Sequence, residues 1–382
     1  MNHLMLSSPF KKGMQIALAL LLGVALLGNG VAHASGSCVH PVGAGNCFTS
    51  IQAAVDAASD GDRITIRPGK YVEQVTIIGR NLTLVGRSGA VIQAPEAMQD
   101  TLSPVAGYEA RPIILVAEAN VTLRGLVIDG ANSGASNPFL YGIFFLNADG
   151  VIQDNVVQNI GFGPPTLAYD EAGWPLYQGE AISSVNFGEA ARTVTIEDNR
   201  VVNYNSSGIT IFAETFPDAP TPANLTVHVV GNTVIGSGPN DVLGQWGVFF
   251  GAYNFAEITG TLKDNRIQDL VTIDQYPSPG VGIATKDTAN VEISANVIEN
   301  VNMGLSVSGL NTQVLKNRFR KADTGILLFV EFPDYGSAIG TVLEDNRFEN
   351  VYMDIMTGPA MMFEAAAART MSEPVQPKRL PR

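Results

Sequence analysis

The residues best suited to chemistry fall in the middle of the chain. Glu180 and Glu214 are two acids that can work as a pair. Two carboxylates hydrolyse a glycoside when they lie about 5–5.5 Å apart for retention or roughly 6.5–9.5 Å apart for inversion. Elimination instead needs a base and a cation that neutralises a uronate carboxylate, and Lys286 is the basic side chain in this stretch. Glu214, Asp241 and Asp287 offer oxygen ligands to Ca²⁺, although no reaction written here requires a cofactor. Around them come Tyr141, Phe144, Trp174, Tyr177, Phe212, Trp246 and Phe249, among them both Trp of the chain. Aromatic faces pack on the apolar faces of sugars, and carboxylates bind sugar hydroxyls or move protons. The same aromatics can equally pin loops to a scaffold, and the same acids can be solvated loop tips.

What could bring these residues together is a repeat. One phrase recurs, V-x-I-x-(D/G)-N-x-(I/V/F)-x-(N/D), as in TVTIEDNRVVN, TVHVVGNTVIG and NVEISANVIEN. Its aligned asparagines are Asn155, Asn199, Asn232, Asn265, Asn296, Asn317 and Asn346, separated by 44, 33, 33, 31, 21 and 29 residues. A Gly-Ile phrase follows each of the first six: EAISS, SGITI, WGVFF, VGIAT, MGLSV and TGILL, after YGIFF upstream of the first. Apolar residues alternate at spacing two in short runs rich in Val, Ile, Thr and Phe, which is the period of a strand. A propeller blade needs four strands and about 40 residues, which the shortest copy cannot supply. Stacked coils fit. Equivalent residues of paired strands would lie about 4.8 Å apart, and the asparagines would form one buried column whose amides bond between turns.

Insertions before the Gly-Ile strand (131–140, 160–179, 236–245, 270–280) and after it (185–192, 213–224, 251–259, 330–339) flank the same strand of each coil. They should wall a groove on one face. Alternation points Phe144, Ser183, Thr210, Phe249, Ala284, Ser306 and Leu327 outward there, beside Tyr141, Glu180, Trp246, Phe212 and Lys286. Arg200, Arg266, Arg318 and Arg347 follow the aligned asparagines outside the groove and are read as surface ion pairs.

The repeat resembles that of the right-handed parallel β-helix proteins of the pectin lyase-like superfamily, over roughly 48–357. The opening SIQAAVDAASDGDRITIRPGKYVEQVTI is similar to the N-terminal module of pectin methylesterases. The resemblance implies an all-β fold: a single-stranded right-handed parallel β-helix (solenoid) with a short capping helix and a C-terminal cap and tail. Thr49 and Gln52 have capping-box spacing for that helix and Gly61 can end it. In this superfamily polysaccharide binds along the equivalent face. The enzyme signatures are nevertheless missing: no groove His with stacked Asp, no Trp-x-Asp-His stretch and no Asp-Asp-Arg set, so no catalytic residue carries over.

Lys11 and Lys12, an apolar run from Met14 to Leu27 and Ala32-His33-Ala34 describe a secretory signal peptide cut near Ala34, with an uncleaved anchor as the alternative. Cleavage removes two of the 23 basic residues and none of the 36 acids, taking the net charge from −13 to 21 − 36 = −15. Such an acidic chain is no nucleic-acid binder. No later stretch can cross a membrane, which leaves a secreted or periplasmic protein. Cys38 and Cys47 would pair in that compartment, a metal pair being the alternative.

The expected organisation is a leader at 1–34, a disulfide-stapled segment and cap helix at 35–61, the β-helix at 62–358, and a cap with a loose tail at 359–382. Two functions remain open. One is a monomeric β-helix that binds polysaccharide or a cell-surface glycan along the groove. The other is a lyase or glycoside hydrolase acting on acidic glycans.

Overall fold

The structure is a computed structural model that describes residues 39–41, 47–101, 110–162, 168–169, 175–176, 179–187, 190–215, 221–241, 243–273, 278–329 and 338–358. The leader at 1–34, Cys38 of the expected disulfide and the tail at 359–382 lie outside the described residues.

Each coil contributes strands in three positions. The strand before the aligned Asn belongs to an eleven-stranded sheet. The strand after it and the Gly-Ile strand belong to a seventeen-stranded sheet. Pairing between successive coils is parallel, except that Val39–Pro41 runs antiparallel along Ile64–Ile66 and covers the first edge. In the last three coils the second and third positions fuse into the long strands Val297–Leu310, Arg318–Phe329 and Arg347–Gly358.

Strand alternation builds the core. Ile152, Ile196, Val229, Leu262, Ile293 and Val314 stand in register from coil to coil, and all are fully buried. Each such side chain contributes about 1.5–3 kcal/mol on burial. One apolar cluster runs inside the stack from Ile51 to Ala338.

The asparagine phrase makes the turn between the first two positions. The residue before each Asn is left-handed: Asp154, Asp198, Gly231, Asp264, Ala295, Lys316 and Asp345, with φ between 53° and 67°. Gly tolerates that region best and Asp better than most residues, which explains the D/G before N. Each Asn Nδ2 then donates to the Oδ1 of the Asn one coil on, at 3.1, 3.0, 3.0, 2.9, 2.9 and 3.1 Å from Asn155 down to Asn346. The same Oδ1 accepts the preceding Asn backbone N–H, as in Asn199 N to Asn232 Oδ1 at 3.0 Å. The second Nδ2 proton goes to a backbone carbonyl of the preceding coil, as in Asn232 to Ile196 at 2.8 Å. No buried amide is left over.

The N-terminal helix is Ile51–Ala57, and its cap differs from the expected one. Ser50, not Thr49, is the N-cap, accepting the Ala53 N–H at 3.2 Å. Glu73, on the first coil, takes the N–H groups of Ile51 and Gln52 at 2.9 and 3.0 Å. A carboxylate from 21 or more residues away does the work that a capping box does locally. The helix ends at Ala58, before Gly61, with Ala58 N–H donated to the Val55 carbonyl. On the outer surface, Arg318 and Arg320 both bind Glu349, and Arg266 pairs with Glu299 at 3.7 Å.

Candidate functional site

The groove face is the row of strands Leu140–Leu146, Glu180–Asn186, Ser207–Glu214, Trp246–Tyr253 and Val281–Ala289, continued by the fused strands. Phe144, Ser183, Thr210, Phe249, Ala284, Ser306 and Leu327 stand in one register row. Three residues earlier runs a second row: Tyr141, Glu180, Ser207, Trp246, Val281, Met303 and Thr324. In each of the first four coils the two rows touch. Tyr141 stacks on Phe144 at 4.9 Å and Trp246 on Phe249 at 4.7 Å. Between them, Ser183 Oγ donates to Glu180 Oε2 at 2.5 Å and Thr210 Oγ1 to Ser207 Oγ at 2.9 Å. The face is thus aromatic, then polar, then aromatic.

The first aromatic zone is packing. Phe144 is only 4% exposed and belongs with Leu115, Ala117, Leu146 and Phe187 to an apolar cluster outside the coils. Sugar contact by Phe144 is therefore corrected: its ring is covered on the outer side as well. Tyr141 packs on the same cluster.

The polar zone holds Glu180 low in the face. Burial pushes its carboxyl above the usual range, against the lowering effect of the hydrogen bond from Ser183. A raised folded pKa means that stability is complete while Glu180 is neutral in both states, below about 4.5, and falls as pH rises through the folded value. Glu180→Gln is therefore expected to gain thermal stability over the native chain at pH 7 and to lose that advantage by pH 4. Melting curves across that range check it, and a constant difference would refute the burial.

The third zone is open. Trp246, Phe249, Tyr253, Val281, Ala284, Lys286, Ser306, Ser308 and Phe329 are among the residues lining a cleft of about 330 Å³. Gly251 makes room for two of its rings: a Cβ there would come within 2.7 Å of the Phe249 ring and 3.0 Å of Tyr253. Lys286 Nζ lies 4.1 Å from the centre of the Tyr253 ring, a cation–π contact. Tyr253 in turn stacks on Phe212 at 4.9 Å, and Phe212 meets Phe187 at 5.5 Å. The lysine is thus held at the end of an aromatic row. Next to it, Asp287 sits at a register shift with φ 54°. Burial raises its carboxyl while Lys286 opposes the shift.

The carboxylate pair does not form. Glu180 is in register with Ser207, and Glu214 lies seven residues farther along that strand, about 23 Å at 3.3 Å per residue. Glu214 instead accepts a hydrogen bond from Asn254 Nδ2 at 2.6 Å. Lys286 is equally remote from Glu180, three coils on and five residues along. The calcium set is not assembled either. Glu214 pairs with Tyr253 at one end of the face, whereas Asp241 precedes Trp246 at the other, and among the described residues no group of three His, Cys, Asp or Glu could hold a metal. Trp174 and Tyr177 lie outside the described residues.

Ser207, Ser308 and Phe329 were not legible as site residues. Ser207 had a signal: it stands three before Thr210, as Glu180 stands three before Ser183. The loop bases are held by buried amides that periodicity does not reveal. Gln245 donates to the Tyr204 and Asn205 carbonyls at 2.7 and 3.1 Å, and Asn302 accepts from Thr272 and Gly280 at 2.7 and 2.9 Å.

No family model matches the chain, and no curated protein matches it. Solved structures do. A GH136 lacto-N-biosidase from Eubacterium ramulus superposes with a TM-score of 0.55 at 13% identity, covering 82% of this chain. This chain spans 64% of the length of that protein. PfbA, a surface adhesin of Streptococcus pneumoniae, gives a TM-score of 0.34 at 12% identity over 80% of this chain and 87% of its own. A family 28 exopolygalacturonase of Yersinia enterocolitica gives 0.34 at 12% over 79% and 75%. At such identities the likeness is one of fold: the chain is built as a parallel β-helix.

Proposed function

We propose that this chain is an exported β-helix protein that binds an acidic polysaccharide in the cleft formed by Trp246, Phe249, Tyr253 and Lys286. The observation that carries this is the meeting, in one cleft, of a stacked Trp–Phe pair and a lysine held on a tyrosine ring. The rings fit the apolar face of a pyranose, and the ammonium fits a carboxylate on the same sugar. So acidic a chain repels a polyanion at long range, and recognition therefore falls to contacts inside the cleft. The leader read at 1–34 supports export, and no helix of the described residues is long and apolar enough to cross a membrane.

The separation of Glu180 from Glu214 along the register supports binding over hydrolysis by that pair. Titration calorimetry with galacturonate, mannuronate and glucuronate oligosaccharides tests the proposal. Lys286→Met should weaken uronate binding about tenfold or more, the scale of one charge-assisted contact, and leave a neutral sugar analogue unaffected. Binding of no uronate would overturn the reading, and a Glu180-dependent release of new chain ends would mark an enzyme instead.

A further inference from the structure

We infer that Phe255 is a second aromatic subsite at the rim of the cleft, taking sugar rings that extend beyond it; this rests on the polysaccharide reading above. Directly after the cleft residue Tyr253 the chain turns, with the Ala256 N–H donated to the Tyr253 carbonyl at 3.0 Å. Both central residues are left-handed, Asn254 at φ 50° and Phe255 at φ 67°. Positive φ at both positions is the signature of a type I′ turn, which favours Asn first and Gly second. Here the place of Gly holds a Phe. A bulky residue in that region is strained, and strain of this kind collects where a function requires it.

The side chain gains no packing in return. Phe255 is 95% exposed, the most exposed of the large apolar side chains among the described residues. The turn is nonetheless held in place: Asn254 Nδ2 donates to Glu214 Oε1 at 2.6 Å across to the neighbouring coil. Two residues of chain reach at most about 7.2 Å between the Cα atoms of Tyr253 and Phe255. A polymer lying over Tyr253 and leaving the cleft on that side passes an exposed aromatic ring on a turn tied to the neighbouring coil. Glu214 thereby acquires a role, as the anchor of this turn.

The test compares hexuronate oligosaccharides of two and eight residues by titration calorimetry on the full chain. The native protein should bind the longer one about tenfold more tightly, the scale of one aromatic contact. Phe255→Gly and Phe255→Ala should lose that gain and bind both lengths alike, at the affinity of the shorter. Phe255→Gly should also melt no lower than the native chain, since Gly suits the turn, so lost affinity cannot be assigned to misfolding. Trp246→Ala should weaken both lengths together. Equal affinity of the native protein for both lengths, or a length gain that survives in the Phe255 variants, overturns the subsite and leaves the cleft standing. Binding of neither oligosaccharide overturns the cleft and the subsite together.

Discussion

Asn232→Ala is expected to destabilise the protein by roughly 3–5 kcal/mol in urea denaturation, the largest effect of any single change considered. The residue sits at the middle of the asparagine column and is fully buried. Its Oδ1 accepts both the backbone N–H and the side-chain amide of Asn199, each at 3.0 Å. Its own amide donates to the Ile196 and Val230 carbonyls and to Asn265 Oδ1. Truncation strands two buried donors on Asn199, and each buried unsatisfied group costs about 1–3 kcal/mol. Water cannot reach them between stacked coils. Asn346→Ala offers the contrast, because that side chain is half-buried in the last rung and water can replace it; about 1 kcal/mol is expected there. In a stack whose coils touch only their neighbours the damage should also be local. Hydrogen exchange should therefore rise most in the coils carrying Asn199 and Asn265. A cost below 1 kcal/mol at Asn232 would show that the apolar core alone sets the register.

The second large effect concerns the cleft. Trp246→Ala is expected to weaken binding of a hexuronate oligosaccharide about 30-fold, since a central aromatic anchor contributes about 2 kcal/mol or more. Trp246 does two things at once: it lines the cleft and it holds the Phe249 ring at 4.7 Å in stacking geometry. Removing it leaves Phe249 without its partner over the gap at Gly251. The matching change in the first zone, Tyr141→Ala, removes a ring that packs on a covered cluster, so its effect should fall on stability and leave binding unchanged. An equal loss of affinity in both variants would mean that the whole face, and not the cleft, carries the ligand.

These contrasts mark how far reading residues in order could go. The coil repeat was legible because its cause is local and recurs. Alternation at spacing two, the left-handed residue before Asn and the Asn itself are all set within one short phrase, and seven copies average out the exceptions. The face that carries the loops was legible for the same reason, since insertions keep their place relative to the phrase. Which side chains on that face meet was not. Glu180 and Glu214 stand on adjacent coils, and only the register reveals that seven strand positions separate them. The cap helix shows the same limit, because Glu73 reaches its N-terminus from just after the strand Gly69–Val72 and local spacing pointed to Thr49.

The amino-acid sequence by itself determined a stack of parallel coils and its inner asparagine column, because each follows from the conformational preference of a few adjacent residues. Tertiary structure alone decided that one aromatic pair packs on an apolar cluster and the other lines a cleft, that Lys286 rests on Tyr253, and that Phe255 faces water. Exposure and contact on an outer face depend on what folds over it from other coils, and no periodicity along the chain records that.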